Sequence, residues 1–148
     1  MIPLSKRLNE VVEAAARDLG GYNDSTAANT AISGGWSRKQ ILGHLIDSAS
    51  NNHQRFVRAL LADELVWPGY DQQGCVRAQR YQEAEWMDLV RLWTSYNRFL
   101  AHVLAGVPGD KLGTKCVIAD GAPMTLEELA VDYLRHMEHH LEQIRSGT

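Results

Sequence analysis

The stretch WSRKQILGHLIDSASNNHQRFVRAL, residues 36–60, determines the fold class of this chain. Apolar side chains such as Ile41 and Phe56 recur along it at the spacing of one helix face. Neither glycine nor proline interrupts the run from Leu45 to Val66. The pattern therefore predicts a single helix that lasts until about Ala62, which is about seven turns at 3.6 residues each.

Three more segments carry apolar side chains at helical spacing. Two of the four helices start with a capping box, in which a Ser or Thr side chain and a Gln or Glu three residues later satisfy free backbone donors. These boxes are Ser37 with Gln40 and Thr125 with Glu128. The further predicted helices are Leu4 to Leu19, ended by Gly20-Gly21, then about Glu83 to Leu104, and finally Thr125 to about Ile144.

Long irregular connections separate these helices. Residues 22–35 are rich in Gly, Ser, Thr and Asn, which is typical of a loop. After a break at Trp67-Pro68-Gly69, residues 70–83 fit either a short helix or a loop, and residues 112–125 leave room for a small extended piece. Connections of this length suit crossovers better than hairpins. We therefore predict an all-α fold, a four-helix bundle with long crossover connections, in a single domain over residues 1–148.

Composition excludes several classes of partner. The net charge of -3 and the absence of a Lys/Arg cluster argue against nucleic-acid binding. No apolar run is long enough to span a membrane, and the first residues lack the pattern of a signal peptide, so we expect a cytoplasmic protein. The two cysteines, Cys75 and Cys116, are too few for a disulfide scaffold. Four Trp and five Tyr favour a homodimer, because aromatic residues are enriched in interfaces.

The run HMEHH, residues 136–140, contains a pair of histidines with metal-ligand spacing. His136 and His140 are four residues apart, so on a helix they lie one above the other at the edge of the apolar stripe. His139 and Glu138 point away from this pair. Because a metalloprotease HExxH motif needs its Glu as general base, the sequence HMEHH argues against a zinc peptidase.

A third histidine on the second predicted helix completes a candidate site. His44 also flanks an apolar face, whereas His53 lies half a turn away from it and His102 has no evident partner. Three imidazoles from two helices would leave coordination positions open for water and substrate, as in catalytic metal sites. The pattern alone leaves open that the histidines are only hydrogen-bonded packing residues.

The chain resembles the DinB-like superfamily of four-helix-bundle proteins. The resemblance lies in WSRKQILGHLIDSASNNHQRFVRAL and in DYLRHMEHHLEQI, together with the middle stretches YDQ and LVRLWTSYNRFL. It implies one divalent metal ion, zinc or nickel, held by His44, His136 and His140. Relatives in this superfamily include thiol-dependent S-transferases, a mycothiol-dependent isomerase and proteins named as metal-dependent hydrolases. The implied function is a metal-dependent enzyme acting on a small molecule, either a hydrolase or an S-transferase that uses a low-molecular-weight thiol.

Polar residues near the candidate ligands are predicted to orient them or to bind substrate. Asp132 and Asp47 are close enough along their helices to accept a ring N–H from a histidine, as carboxylates do around metal sites. Helix geometry places Asp47 towards the solvent edge of its helix. Arg55 has the geometry to hold a carboxylate with two parallel hydrogen bonds. For these polar residues, an interhelical hydrogen-bond network is an equal alternative. For the chain as a whole, the alternative function is a non-catalytic metal-binding or dimeric interaction module. The polar line that follows His44 consists of Ser48, Asn51, Asn52 and Arg55.

Overall fold

Four long helices form the body of the protein. The computed structural model describes residues 1–30 and 35–147. The helices are α1 (Ile2–Leu19), α2 (Asp24–Ala28), α3 (Arg38–Leu61), α4 (Gln72–Ala78), α5 (Trp86–Ala105) and α6 (Leu126–Ser146), and the strands are β1 (Glu64–Trp67), β2 (Lys115–Ile118) and β3 (Met124–Thr125). Helix α1 packs against α5, and α3 packs against both α5 and α6.

The helix termini follow the capping signals in the sequence. Ser37 Oγ accepts a hydrogen bond from the backbone N–H of Gln40, and the Gln40 side chain accepts one from the backbone N–H of Ser37. Thr125 and Glu128 form the same reciprocal pair at the start of α6. Both predicted capping boxes are therefore confirmed, and α3 ends within one residue of the predicted Ala62.

A continuous apolar core lies between the four long helices. Two tryptophans on α5, Trp86 and Trp93, are almost fully buried, as is Phe56 on α3. Met137 on α6, the residue after His136, is also fully buried and belongs to this core. Burying side chains of this size stabilises the fold by roughly 1.5–3 kcal/mol each relative to leaving them exposed.

A small three-stranded sheet joins the two long connections. Strands β1 and β2 pair in parallel, with Leu65 opposite Cys116, and β2 pairs with β3 in antiparallel orientation. The extended piece expected within residues 112–125 therefore exists, whereas β1 was not predicted. The sheet fixes the connection after α3 against the one that enters α6, and so it positions these two helices relative to each other.

The structure confirms the four-helix bundle with crossovers and corrects it in detail. The predicted loop 22–35 contains α2, which Asn23 caps by accepting from the backbone N–H of Thr26. Residues 31–34 of that predicted loop lie outside the described residues. The third long helix begins at Trp86, three residues after the predicted Glu83, because residues 81–83 form a separate 3-10 turn. In the part of the chain that the structure describes, no helix is both long and apolar enough to cross a membrane.

Candidate metal centre

The three histidines predicted as ligands meet at the interface of α3 and α6. His44 is fully buried on α3, while His136 and His140 are half-buried on α6. One ring nitrogen from each histidine lies within 4.8 Å of the other two. Packing of α3 on α6 therefore brings His44 together with His136, which lies ninety-two residues later in the sequence, and with His140.

The separation of the imidazole nitrogens suits a shared metal ion. His44 Nε2 lies 3.1 Å from His136 Nε2. Two nitrogens bound to one ion at 2.0–2.1 Å, with an angle between the tetrahedral and octahedral values, are about 2.8–3.4 Å apart. The ring centroids of His140 and His44 are 4.7 Å apart, and those of His140 and His136 are 4.5 Å apart. The donor set of three imidazoles thus fits a divalent cation.

The imidazoles of the cluster are neutral at physiological pH. Burial, followed by the proximity of the other histidines, lowers the pKa of His44 from 6.5 to about 4. Burial and His140 lower the pKa of His136 to about 4 as well, and burial also lowers the pKa of His140. A neutral imidazole keeps a free lone pair, which is the form that binds metal ions.

A hydrogen bond on α6 orients His140. Gln143 Oε1 lies 2.7 Å from His140 Nδ1, and because a carbonyl oxygen only accepts, the ring donates from Nδ1. The unprotonated nitrogen of His140 is then Nε2. Partners of this kind fix the tautomer and the ring orientation of metal-binding histidines. Sequence analysis missed Gln143, although its position three residues after His140 on the same helix is a usable signal.

Replacing Gln143 with leucine is expected to weaken divalent-metal binding by about 10–100-fold, the usual cost of losing such an orienting partner. Leucine keeps the helix and approximates the volume of glutamine, but it cannot accept the proton of His140 Nδ1. The measurement is competitive titration of Zn²⁺ against a chelating dye. Glu142→Leu serves as the control, because Glu142 is exposed on the neighbouring position. Equal affinities for the two variants would show that Gln143 does not orient the ring.

Asp47 holds a neighbouring segment. The sequence places it towards the solvent edge, but it is buried and its Oδ1 accepts hydrogen bonds from Tyr81 Oη at 2.7 Å and Gln79 Nε2 at 2.5 Å. Burial raises the pKa of Asp47 despite these two donors. Among the residues that the structure describes, its partners do not include an imidazole of the cluster. Asp47 therefore ties α3 to the segment after α4.

A cavity of about 290 Å³ adjoins the cluster and includes His136 in its wall. Three of the four residues on the predicted polar line, Ser48, Asn52 and Arg55, are buried and line this cavity. Asn52 Nδ2 donates to the backbone oxygen of Ser48 at 2.9 Å. The polar line thus runs from the imidazole cluster along one wall of the cavity, where it is placed to contact a bound molecule.

Two of the predicted orienting or substrate-binding residues have other contacts. Asn51 is only half-buried and donates to the backbone oxygen of Asp47 at 2.9 Å, so its amide serves the helix. Asp132 lines the cavity at its exposed side, where its carboxylate pairs with Arg135 at 2.5 Å. Asp132 lies near enough to His136 to act on its pKa, but its direct partner is the arginine.

The remaining histidines lie outside the cluster, as predicted. His139 is exposed, and His53 contacts Tyr96 instead, with Nδ1 3.2 Å from the phenol oxygen. His102 stacks on Phe99. Glu138, inside the HMEHH run, pairs with Arg7 at 2.9 Å and so points away from the imidazoles. Both cysteines are free thiols.

The fold and the site together define the class of this protein. It is a helical-bundle protein in which three neutral imidazoles meet beside a polar cavity. Within that class the chain belongs to the DinB superfamily, whose family profile matches residues 6–144. This membership confirms the resemblance that the sequence segments around His44 and His136 indicate.

Two relatives are described in terms of metal-dependent hydrolysis. A protein of Halalkalibacterium halodurans, provisionally named a metal-dependent hydrolase, is 25% identical over 122 residues, which are 76% of this chain and 65% of that protein. The chain thus spans just under two thirds of that curated relative. YfiT from Bacillus subtilis, described as a probable metal-dependent hydrolase with an unusual four-helix bundle topology, matches with a TM-score of 0.82 and 21% identity over 97% of this chain and 85% of YfiT. This likeness confirms the fold.

Proposed function

We propose that this chain is a divalent-metal-dependent hydrolase of a small molecule, with His44, His136 and His140 as the metal ligands. The observation that carries the proposal is the convergence of three neutral imidazoles within 4.8 Å, next to a cavity that His136 lines. Three protein ligands leave coordination positions for water and substrate, which is the pattern of catalytic metal sites. The descriptions of the two relatives support the same reaction class.

The ion would act as a Lewis acid that makes a water molecule a stronger nucleophile. The residues of the chain have separate tasks around it. Gln143 holds the His140 ring, and the burial of His44 keeps that ligand neutral and excludes bulk water from one side. Imidazole ligands suit zinc and nickel alike, so either ion satisfies the proposal.

Thiol S-transfer is a second candidate, and one feature of the site favours it. Hydrolysis usually needs a side chain that delivers a proton to the leaving group. Among the described residues, the carboxyl groups near the imidazoles have other partners: Asp47 binds Tyr81 and Asp132 binds Arg135. An ion held by His44, His136 and His140 would lower the pKa of a low-molecular-weight thiol, so S-transfer to an electrophile would depend less on such a group. The predicted cytoplasmic location and homodimer stay predictions.

The activity test compares the two reactions on one enzyme preparation, purified without a His-tag and reconstituted with Zn²⁺ or Ni²⁺. We expect turnover of ester or amide substrates by the loaded protein, and loss of turnover after chelation. Addition of low-molecular-weight thiols with an electrophile tests S-transfer in parallel. Turnover that requires a thiol would replace hydrolysis with S-transfer. No turnover in either assay at full metal occupancy would instead support a non-catalytic metal-binding module.

A further inference from the structure

One permanently charged side chain in the cavity beside the imidazoles has no charged partner among the residues that the structure describes. Arg55 lies on α3, is 9% exposed, and follows His44 by eleven residues. Eleven residues are about three helical turns, so both side chains project from the same face of α3. Arg55 lines the cavity that also includes His136 in its wall. The guanidinium and the imidazole cluster therefore border one space.

The hydrogen-bonding capacity of this guanidinium is largely unused. Its Nη1 donates to Asn52 Oδ1 at 3.3 Å, whereas its Nε is buried and finds no hydrogen-bond partner in the described part of the chain. Within residues 1–30 and 35–147, Arg55 forms no ion pair. Tyr70 is nearby but is no counter-ion at neutral pH, because burial raises its pKa to about 12.

Another buried cation in this protein shows the usual arrangement. Lys39 is 3% exposed, and its ammonium group pairs with Asp24 at 2.7 Å. Charged side chains are rarely this buried unless they are paired, because removing a charge from water is costly. Arg55 is also buried, but among the described residues it has no such ion pair, and it borders the cavity. This indicates that its partner is a molecule that enters from outside the chain.

We propose that the cavity is a subsite for a carboxylate group, which Arg55 binds through parallel hydrogen bonds from its guanidinium. The substrate is then a small molecule that carries a free carboxylate and presents its reacting group to the imidazole cluster. This inference rests on the proposed function, because it places the substrate of that reaction in this cavity. Arginine suits the role, since its planar fork matches the two oxygens of a carboxylate.

The charges around the cavity favour a carboxylate over a phosphate. Among the described residues that line it, Arg55 is the one permanently charged cation, and the carboxylate of Asp132 at the exposed side is already paired with Arg135. Ser48 and Asn52 add neutral polar groups. One guanidinium balances a carboxylate monoanion, whereas a phosphate dianion would keep an excess negative charge in the cavity. The volume of about 290 Å³ lies near the lower limit for ligand pockets, which suits a small molecule.

The test measures binding of acetate, propionate and benzoate to the full chain, with the corresponding primary amides and phenylphosphonate as probes of charge and shape. Titrations followed by calorimetry or by amide chemical shifts are run on the Zn²⁺-loaded and on the chelated protein. We expect at least one carboxylate to bind both forms, at least tenfold more tightly than its amide. Arg55→Gln should weaken that binding at least tenfold, and Arg55→Lys should give an intermediate value because it keeps the charge but loses the fork.

Arg58→Gln is the matched control, because Arg58 is on the same helix but is exposed and lies over the Trp67 ring. It should bind the carboxylate as the unaltered chain does. The chelated arm separates this inference from the proposed function: a protein that binds no Zn²⁺ can still show the Arg55-dependent carboxylate site. Carboxylate binding that needs Zn²⁺ and is unchanged in Arg55→Gln would overturn the inference, as would tighter binding of phenylphosphonate or no preference for carboxylates over amides.

A stability measurement gives an independent readout of the same site. Because the buried guanidinium has no anionic partner among the described residues, Arg55→Met should raise the melting temperature, by about 3 °C or more for a chain of this size. The carboxylate that binds best should raise the melting temperature of the unaltered chain and leave that of Arg55→Met unchanged. If Arg55→Met melts lower than the unaltered chain, the guanidinium is satisfied within the fold and the subsite assignment is wrong.

Discussion

Replacing His136 with alanine is expected to reduce bound Zn²⁺ from one ion per chain to a trace, with an affinity at least about a hundredfold weaker. The His136 nitrogen lies 3.1 Å from that of His44, so its removal leaves two of the three converging donors. Loss of a mere orienting partner already costs about 10–100-fold, and loss of a ligand costs more. Elemental analysis of protein purified without a His-tag measures the stoichiometry. His44→Ala should give the same result.

His139→Ala is the control for this experiment. It removes a histidine from the same HMEHH run, but His139 is exposed and is not one of the three converging residues. Its metal content should equal that of the unaltered chain. His136 is half-buried, so His136→Ala should also retain its helical circular dichroism, which separates ligand loss from unfolding. Unchanged metal content in His136→Ala and His44→Ala would exclude the cluster as the metal site and leave the three imidazoles as packing residues.

Local sequence signals predict the helices and one half of the site, the pair of His136 and His140. The spacing of His136 and His140 on a capped amphipathic helix places both rings on the core side, because helix geometry alone determines their direction. His44 can be placed on its own helix face in the same way. The distance between the two helices does not follow from spacing, so the convergence of His44 with His136 depended on the expectation of a bundle.

The features that the sequence does not predict depend on tertiary contacts. Strand β1 is only four residues long and exists because β2 pairs with it from a segment some fifty residues later. The burial of Asp47 does not follow from its angular position around the α3 axis. It is covered by the segment after α4, from which Tyr81 donates to its carboxylate. The missing partner of Arg55 is likewise invisible in the sequence, since a lone arginine on a helix gives no sign of what surrounds it.

Replacing Gly43 with alanine is expected to destabilise the fold by about 3 kcal/mol, although alanine is favoured over glycine in a helix by about 1 kcal/mol. A Cβ at this position would lie 2.1 Å from Cδ2 of the Tyr81 ring, closer than two carbon atoms can approach. The ring is buried and donates to Asp47, so moving it costs overpacking strain and also leaves a buried carboxylate with one donor fewer. Chemical denaturation of Gly43→Ala measures the free energy of unfolding.

The contact between Gly43 and Tyr81 can be isolated with two further variants. Gly106→Ala is the matched control, because Gly106 ends α5 with a φ of -84° and an added Cβ would be 3.6 Å from the Val103 oxygen, an ordinary contact. Its stability should change by less than about 0.5 kcal/mol. In a Tyr81→Ala background the cost of Gly43→Ala should disappear, since residues in direct contact are not additive. A Gly43→Ala protein that is more stable than the unaltered chain would mean that helix propensity prevails and that Tyr81 does not pack on this turn.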